Sequence, residues 1–263
     1  MSSPQAAPRG RSWAAGRLTR RDLLALVFLA LVAFSFHGRL VLVGRVRVGE
    51  DVSRVQDPLR SIYVSALRQG RLPIWYPRLN LGTPLFAESQ LGQLHPVNLA
   101  VFSVLPARVG GVVWTVLLCF LCGAFTYLFA REIGLGVAGR TVAGLVFMMS
   151  GFFLAHVNHL YTFLLQGVHA PLALLLSERI ATGRGRWAAW WAALVFALAV
   201  LAGHFQLTFM TVLLYLFYGV WRALQTKHEG KRWPSRRWHR VVCLTVPLVV
   251  AAGLSAVQWM PTR

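Results

Sequence analysis

Apolar residues in this chain come in long runs, without the short polar alternations of a soluble domain. Crossing the hydrocarbon layer takes about 20 mainly apolar residues. By that measure the pattern predicts seven transmembrane helices, over 23–43, 111–130, 141–157, 160–177, 187–203, 205–221 and 241–259. Between the first two lies a polar stretch, 45–95, with a pattern of its own. There Leu59, Ile62, Tyr63, Ala66 and Leu67 recur at i, i+3, i+4, i+7 and i+8, the stripe of an amphipathic helix. Asp57 suits its N-cap, Pro58 its first helical position and Gly70 the residue past its end, while Arg60 and Arg68 lie off the stripe. Such a helix is expected to lie on the bilayer surface or against the bundle. Pro73, Pro77, Pro84 and Pro96 exclude a long regular helix from the rest of the loop.

The expected fold class is therefore all-α, a polytopic transmembrane bundle with a long extracytoplasmic first loop. Residues 1–22 form a basic leader, and 23–263 form the membrane module. Composition agrees: 56% of the residues are hydrophobic and 13% charged, where a soluble domain carries about 25% charged residues. A net charge of +19 raises the question of nucleic acid. The basic residues lie in short clusters between apolar runs, with no polar domain to carry a binding face, so no nucleic-acid partner is expected.

Those clusters instead set an orientation, because cytoplasmic loops retain Lys and Arg. Arg9, Arg11, Arg17, Arg20 and Arg21 precede the first span. Arg131 with Arg140, then Arg179, Arg184 and Arg186, then the stretch 222–240 follow on the same side. The alternation makes the N-terminus cytoplasmic, in a multi-pass membrane protein. The motif T-R-R-D-L-L-A is similar to a twin-arginine export signal, but no clean cleavage site follows, so an uncleaved first span is expected. Cys119, Cys122 and Cys243 fall in apolar runs and read as packing residues.

The loop also gathers the acids. Glu50, Asp51, Asp57 and Glu88 are half of the eight carboxylates in the chain. Asp51 follows the first span by about eight residues, level with the head groups, where a general base would meet a lipid-linked phosphate substrate. Arg45, Arg47 and Arg54 flank it, suited to a phosphate or to anionic membrane lipid. Trp75 and Tyr76, with Asn80, Glu88, Gln90 and Gln93, offer the aromatic-plus-amide surface of a sugar site, or an aromatic belt at the bilayer boundary. His156, Asn158 and His159 form one polar junction between spans, and His204 with Gln206 forms another. No metal-ligand cluster stands out and no cofactor is expected, although the adjacent carboxylates leave room for a divalent ion.

G-E-D-V-S-R-V-Q-D-P, then G-R-L-P-I-W-Y-P-R-L-N-L-G-T-P-L-F-A-E-S-Q, then H-P-V-N-L, resembles the first outer loop of the YfhO-type bacterial membrane proteins. S-G-F-F-L-A-H, A-P-L-A-L-L-L-S-E-R, L-A-G-H-F-Q and Q-W-M-P-T extend the resemblance over nearly the whole chain after the leader. It implies the GT-C fold of integral-membrane glycosyltransferases, a polyprenyl-phosphate-linked sugar as donor, and an acceptor on the outer face. The reaction-centre acid of that class maps onto Asp51, with Glu50 adjacent and Gln56 and Pro58 in the pattern Asp51-x4-Gln56-x-Pro58. Members of the family are longer, so the sequence to Arg263 is expected to be an N-terminal portion. Two other classes compete. A transporter or flippase would favour mid-span charges and paired repeats, which the sequence lacks. A non-catalytic or truncated membrane module is the other.

Overall fold

A computed structural model of the chain describes residues 17–38, 52–72, 74–79, 81–85, 89–156, 161–185, 187–226 and 237–260. Among these residues the fold is all-helical, without a strand. The first helix, α1, runs over Arg20–His37. Thr19 and Asp22 close a capping box at its start, with the Thr19 Oγ1 accepting from the Asp22 amide at 3.2 Å and the carboxylate accepting from the Thr19 amide at 2.9 Å. The T-R-R-D motif is thus a helix start, whose cap the apolar pattern alone did not reveal.

After α1, the described chain resumes with a π turn, Val52–Gln56, that runs into α2, Asp57–Arg68. This corrects the expected cap. Gln56 precedes the helix in right-handed helical geometry, and Asp57 is its first residue. The far boundary is as expected, with Gly70 at φ +67° beyond the last turn. Helix α3 covers Pro96–Val104, α4 Ala107–Glu132, α5 Val137–Met148 and α6 Gly151–His156. Then follow α7 over Tyr161–Gly167, α8 over His169–Ala181 and α9 over Ala188–Leu201. The remainder is α10 over Phe205–Gln225, α11 over Arg237–Leu254 and α12 over Ala256–Trp259.

Among the described residues three stretches are long and apolar enough to cross a membrane: Val109–Glu132, Val137–His156 and Phe205–Gln225, of 24, 20 and 21 residues. At 1.5 Å per residue, 20 residues cover about 30 Å, the hydrocarbon thickness. Ala188–Leu201 and Trp238–Leu254 are shorter apolar helices. The outward surface supports a lipid environment. Leu24, Val27, Phe28 and Leu31 of α1 are exposed, as are Phe209, Met210, Phe217 and Leu224 of α10. Contiguous apolar surface on this scale is rare on a soluble monomer.

Lipid tails are as apolar as leucine, so the helices need close packing, not simple burial, to associate. Glycine supplies it. A Cβ on Gly144 of α5 would stand 2.7 Å from the Gly123 carbonyl of α4, and one on Gly219 of α10 would strike the Ser177 hydroxyl of α8. Alanines do the same for α9, where Ala192, Ala193, Ala197 and Ala199 are buried. One core joins α1, α4 and α5 through Leu29, Ala33, Trp114, Leu118 and Met148. A second joins α8 to α11 through Leu176, Ala192, Phe196, Tyr215 and Leu244. Cys119 and Cys122 are buried and Cys243 is half-buried, none of the three in a disulfide, and the Cys119 thiol donates weakly to the Met148 carbonyl at 3.6 Å.

Candidate functional site

Chain direction alternates along the bundle, so the helix ends sort into two layers. One holds the start of α1, the end of α4, the start of α5, the ends of α8 and α10 and the start of α11. It is rich in arginine. The other holds α2, α3 and the junctions before α7 and α10, and collects histidines and amides.

At the histidine end, α2 lies across α3 and α4. Leu59, Tyr63 and Val64 are buried, and Ile62, Ala66 and Leu67 half-buried, so the predicted stripe faces the bundle. Arg60, although off that stripe, is buried as well. It is 3% exposed, its guanidinium carbon 4.5 Å from the Phe102 ring centre and 5.5 Å from that of Trp114. Those faces attract a guanidinium, and its stem adds apolar contact. The Tyr63 hydroxyl donates to the Gln93 carbonyl, and the Gln93 amide donates to the Leu85 carbonyl. Burial pushes the Tyr63 phenol up to about 12. Asn98 completes the platform, donating to the Gly92 carbonyl at 2.7 Å and accepting from the Trp114 indole.

His95 caps α3, its Nδ1 accepting from the Val97 amide at 3.3 Å, with Pro96 at the first helical position. An accepting Nδ1 leaves the proton on Nε2. That atom is buried without a hydrogen-bond partner among the described residues, and the ring meets His169 edge-on at 5.5 Å. Burial, and then the neighbouring His169, press the His95 imidazole down to about 3, so it is neutral. Asn98, His95 and His169 are absent from the predicted site. H-P-V-N does carry the signal for the first two: a residue before an N1 proline, then a polar residue three positions on.

The predicted site residues divide. Arg45, Arg47, Glu50, Asp51, Glu88 and His159 lie outside the described residues, as do Asn80 and Asn158. Arg54 is exposed on the π turn that begins one position after Asp51, and Gln56 is buried at its end. Trp75 is exposed and packs over Gly82, where a Cβ would enter its ring. Tyr76 pairs with Thr83 through two backbone bonds of 2.8 and 2.9 Å, closing a short turn. Gln90 is exposed in the 3₁₀ turn Ser89–Leu91.

His156 and His204 do come together. Both stack on Phe163, at 4.2 and 4.5 Å between ring centres. The His156 Nδ1 lies 2.7 Å from the Phe152 carbonyl, and His204 Nδ1 accepts from the Leu207 amide at 3.3 Å as the cap of α10. Burial lowers the His204 pKa, and His156 lowers it further. Among the described residues, no hydrogen bond or ring contact joins this stack to Trp75 or Tyr76. No group of three or more His, Cys, Asp or Glu side chains capable of holding a metal occurs among the described residues.

The arginine end holds ion pairs that single-segment reading could not see. Arg140 Nη1 donates to Asp22 Oδ1 at 2.8 Å, an oxygen that also accepts from the Tyr127 hydroxyl at 2.6 Å. Glu178 accepts from Arg184 at 2.9 Å, from Arg222 at 2.8 Å and from the Tyr218 hydroxyl at 2.9 Å. Glu132 accepts from Arg179 at 2.9 Å. These carboxylates are consumed structurally. Comparison with protein-family models, curated proteins and solved structures finds no match to the chain.

Proposed function

We propose that the chain is the membrane module of a glycosyltransferase. It moves a sugar from a polyprenyl-phosphate carrier to an acceptor at the outer face of a bacterial cell membrane. In this reading α1, α4, α5 with α6, α7 with α8, α9, α10 and α11 are the seven crossings. The arginine end is cytoplasmic and the histidine end external. The acceptor hydroxyl attacks the anomeric carbon, the carbon–oxygen bond to phosphate breaks, and the lipid phosphate leaves with the bonding electrons. Asp51 takes the hydroxyl proton. Arg45, Arg47 and Arg54 hold the departing phosphate, while Trp75 and Tyr76 offer ring faces to a sugar.

The supporting observation is the anchoring of the chain just after Asp51. Gln56, Leu59, Arg60 and Tyr63 are all buried against the bundle. Catalysis by a positioned base needs such a support, because small misplacements cost large factors in rate. Ion pairing at the other end engages Asp22, Glu132 and Glu178 in holding helices together.

The test is transfer from a labelled undecaprenyl-phosphate sugar in reconstituted membranes, read as released lipid phosphate. Asp51→Asn is expected to lower turnover by at least a hundredfold, within the usual range for a lost general base. Undiminished turnover in Asp51→Asn would refute the assignment of the base. Absence of transfer from a panel of such donors would overturn the enzyme reading.

A further inference from the structure

A cleft of about 860 Å³ opens at the arginine end between the start of α1 and α9, floored by α4 and α8. Its two levels differ in chemistry. The outer level carries Arg21, Arg131, Arg140 and Arg179 against two carboxylates, Asp22 and Glu132, which leaves two positive charges in excess. Arg140 is held by Asp22 and Arg179 by Glu132. Arg21 is exposed on the wall, and Arg131 reaches the Arg17 carbonyl at 3.3 Å. The inner level is leucine: Leu172 of α8 with Leu194 and Leu198 of α9. From Arg179 to Leu172 is seven helical residues, or about 10 Å of depth.

A second observation fixes where this cleft sits. Trp187, Trp190 and Trp191 at the start of α9, Trp221 near the end of α10 and Trp238 at the start of α11 are all exposed. They share the arginine layer, and exposed tryptophans at one level of an apolar bundle mark the head-group boundary. The cationic rim therefore stands at head-group depth and the leucines among the acyl chains.

We propose that the cleft binds a glycerophospholipid with an anionic phosphate head group, its phosphate at Arg21 and Arg131 and an acyl chain along Leu194 and Leu198. Charge complementarity selects this occupant over the neighbouring segments of the chain. Residues 1–16 carry Arg9 and Arg11 and no acid, and 227–236 carry four Lys or Arg against Glu229 alone. Both would add positive charge to a basic rim. The positive surplus exceeds the single negative charge of a phosphate diester, so it favours an anionic head group over a zwitterion.

The test uses the full chain purified in a neutral detergent. Thermal unfolding and native mass spectrometry are followed as dioleoyl phosphatidylglycerol, dioleoyl phosphatidylcholine or inorganic phosphate is added. Phosphatidylglycerol is expected to raise Tm and to be retained as a one-to-one adduct, because a ligand of the native state stabilises it. Arg21→Gln, at an exposed position, combined with Arg131→Gln is expected to weaken that lipid at least tenfold. Leu198→Trp, which fills the acyl level, is expected to weaken it while leaving the response to inorganic phosphate unchanged. Equal stabilisation by both lipids would overturn the proposal, as would full retention by the double variant. A shift reproduced entirely by inorganic phosphate would replace the lipid with a soluble anion and likewise overturn it.

Discussion

Arg222 Nε donates to Glu178 Oε2 at 2.8 Å, and the side chain of that carboxylate has no exposed surface. The pair fastens α10 to α8 one turn below the contact where Gly219 meets Ser177. Geometry and charge thus work on the same helix pair. Glycine lets the backbones approach, and the approach lets a short carboxylate reach an arginine on the facing helix.

Removing that carboxylate's charge should be severe. Glu178→Gln leaves Arg222 without its anion and Arg184 with Glu132 alone, at 3.4 Å, and breaking a buried pair costs about 3 kcal/mol. Arg184→Gln should cost distinctly less, since Arg222 and Tyr218 still bind the acid. Unfolding in mild detergent measures both; equal losses would mean that the network does not act through Glu178.

The capping box at Thr19 gives a smaller, graded effect. Thr19→Ala should lower stability by about 1 kcal/mol, the usual worth of a helix cap. Asp22→Asn should cost more, because the same side chain also takes bonds from Arg140 and Tyr127. Comparing the two by thermal unfolding separates the cap from the ion pair.

His95 makes stability fall in acid. Its imidazole is held near 3 in the fold against an ordinary 6.5, so the unfolded chain binds a proton that the folded chain refuses. Stability from this group is therefore complete above about 6.5 and is lost as the pH drops toward 3. His95→Asn keeps a capping residue but cannot titrate. It should flatten the decline of Tm between pH 6.5 and 4.5, and an unchanged slope would remove His95 from the account.

Orientation is open to direct labelling. Arg54 is exposed at the histidine end and Trp187 at the arginine end. With Cys119 and Cys122 buried, few native thiols compete. A membrane-impermeant maleimide added to intact cells should modify Arg54→Cys and spare Trp187→Cys. The reverse pattern would place the loop acids in the cytoplasm and sink the glycosyltransferase reading.

The all-helical class is legible because few settings besides lipid tolerate so many long apolar runs, and of the seven predicted spans three are matched by helices long and apolar enough to cross among the described residues. Contact between distant segments stays hidden. Arg60 sits off the local stripe, yet the rings of Phe102 and Trp114, brought in by two other helices, cover it. Asp57 has the composition of a cap, but the preceding turn coils into the helix and removes the need for one. Asp22 escapes notice in the sequence because a carboxylate beside two arginines has the pattern of a topology signal. Its partner Arg140 lies in another helix, and spacing along the chain does not reveal such a pair.

Asp22 and Arg140 are separated by 118 positions. At typical elongation rates, roughly 6–24 s elapse between synthesis of the acid and synthesis of its cation. For most of that interval, until Tyr127 is made 105 positions after Asp22, the nascent first helix has its apolar flank and its own capping box but no bond from another helix at its base. The ion pair at the base of α1 is thus completed only when α5 has been made, so a chain cut short before Arg140 should hold its first helix less firmly than the longer chain.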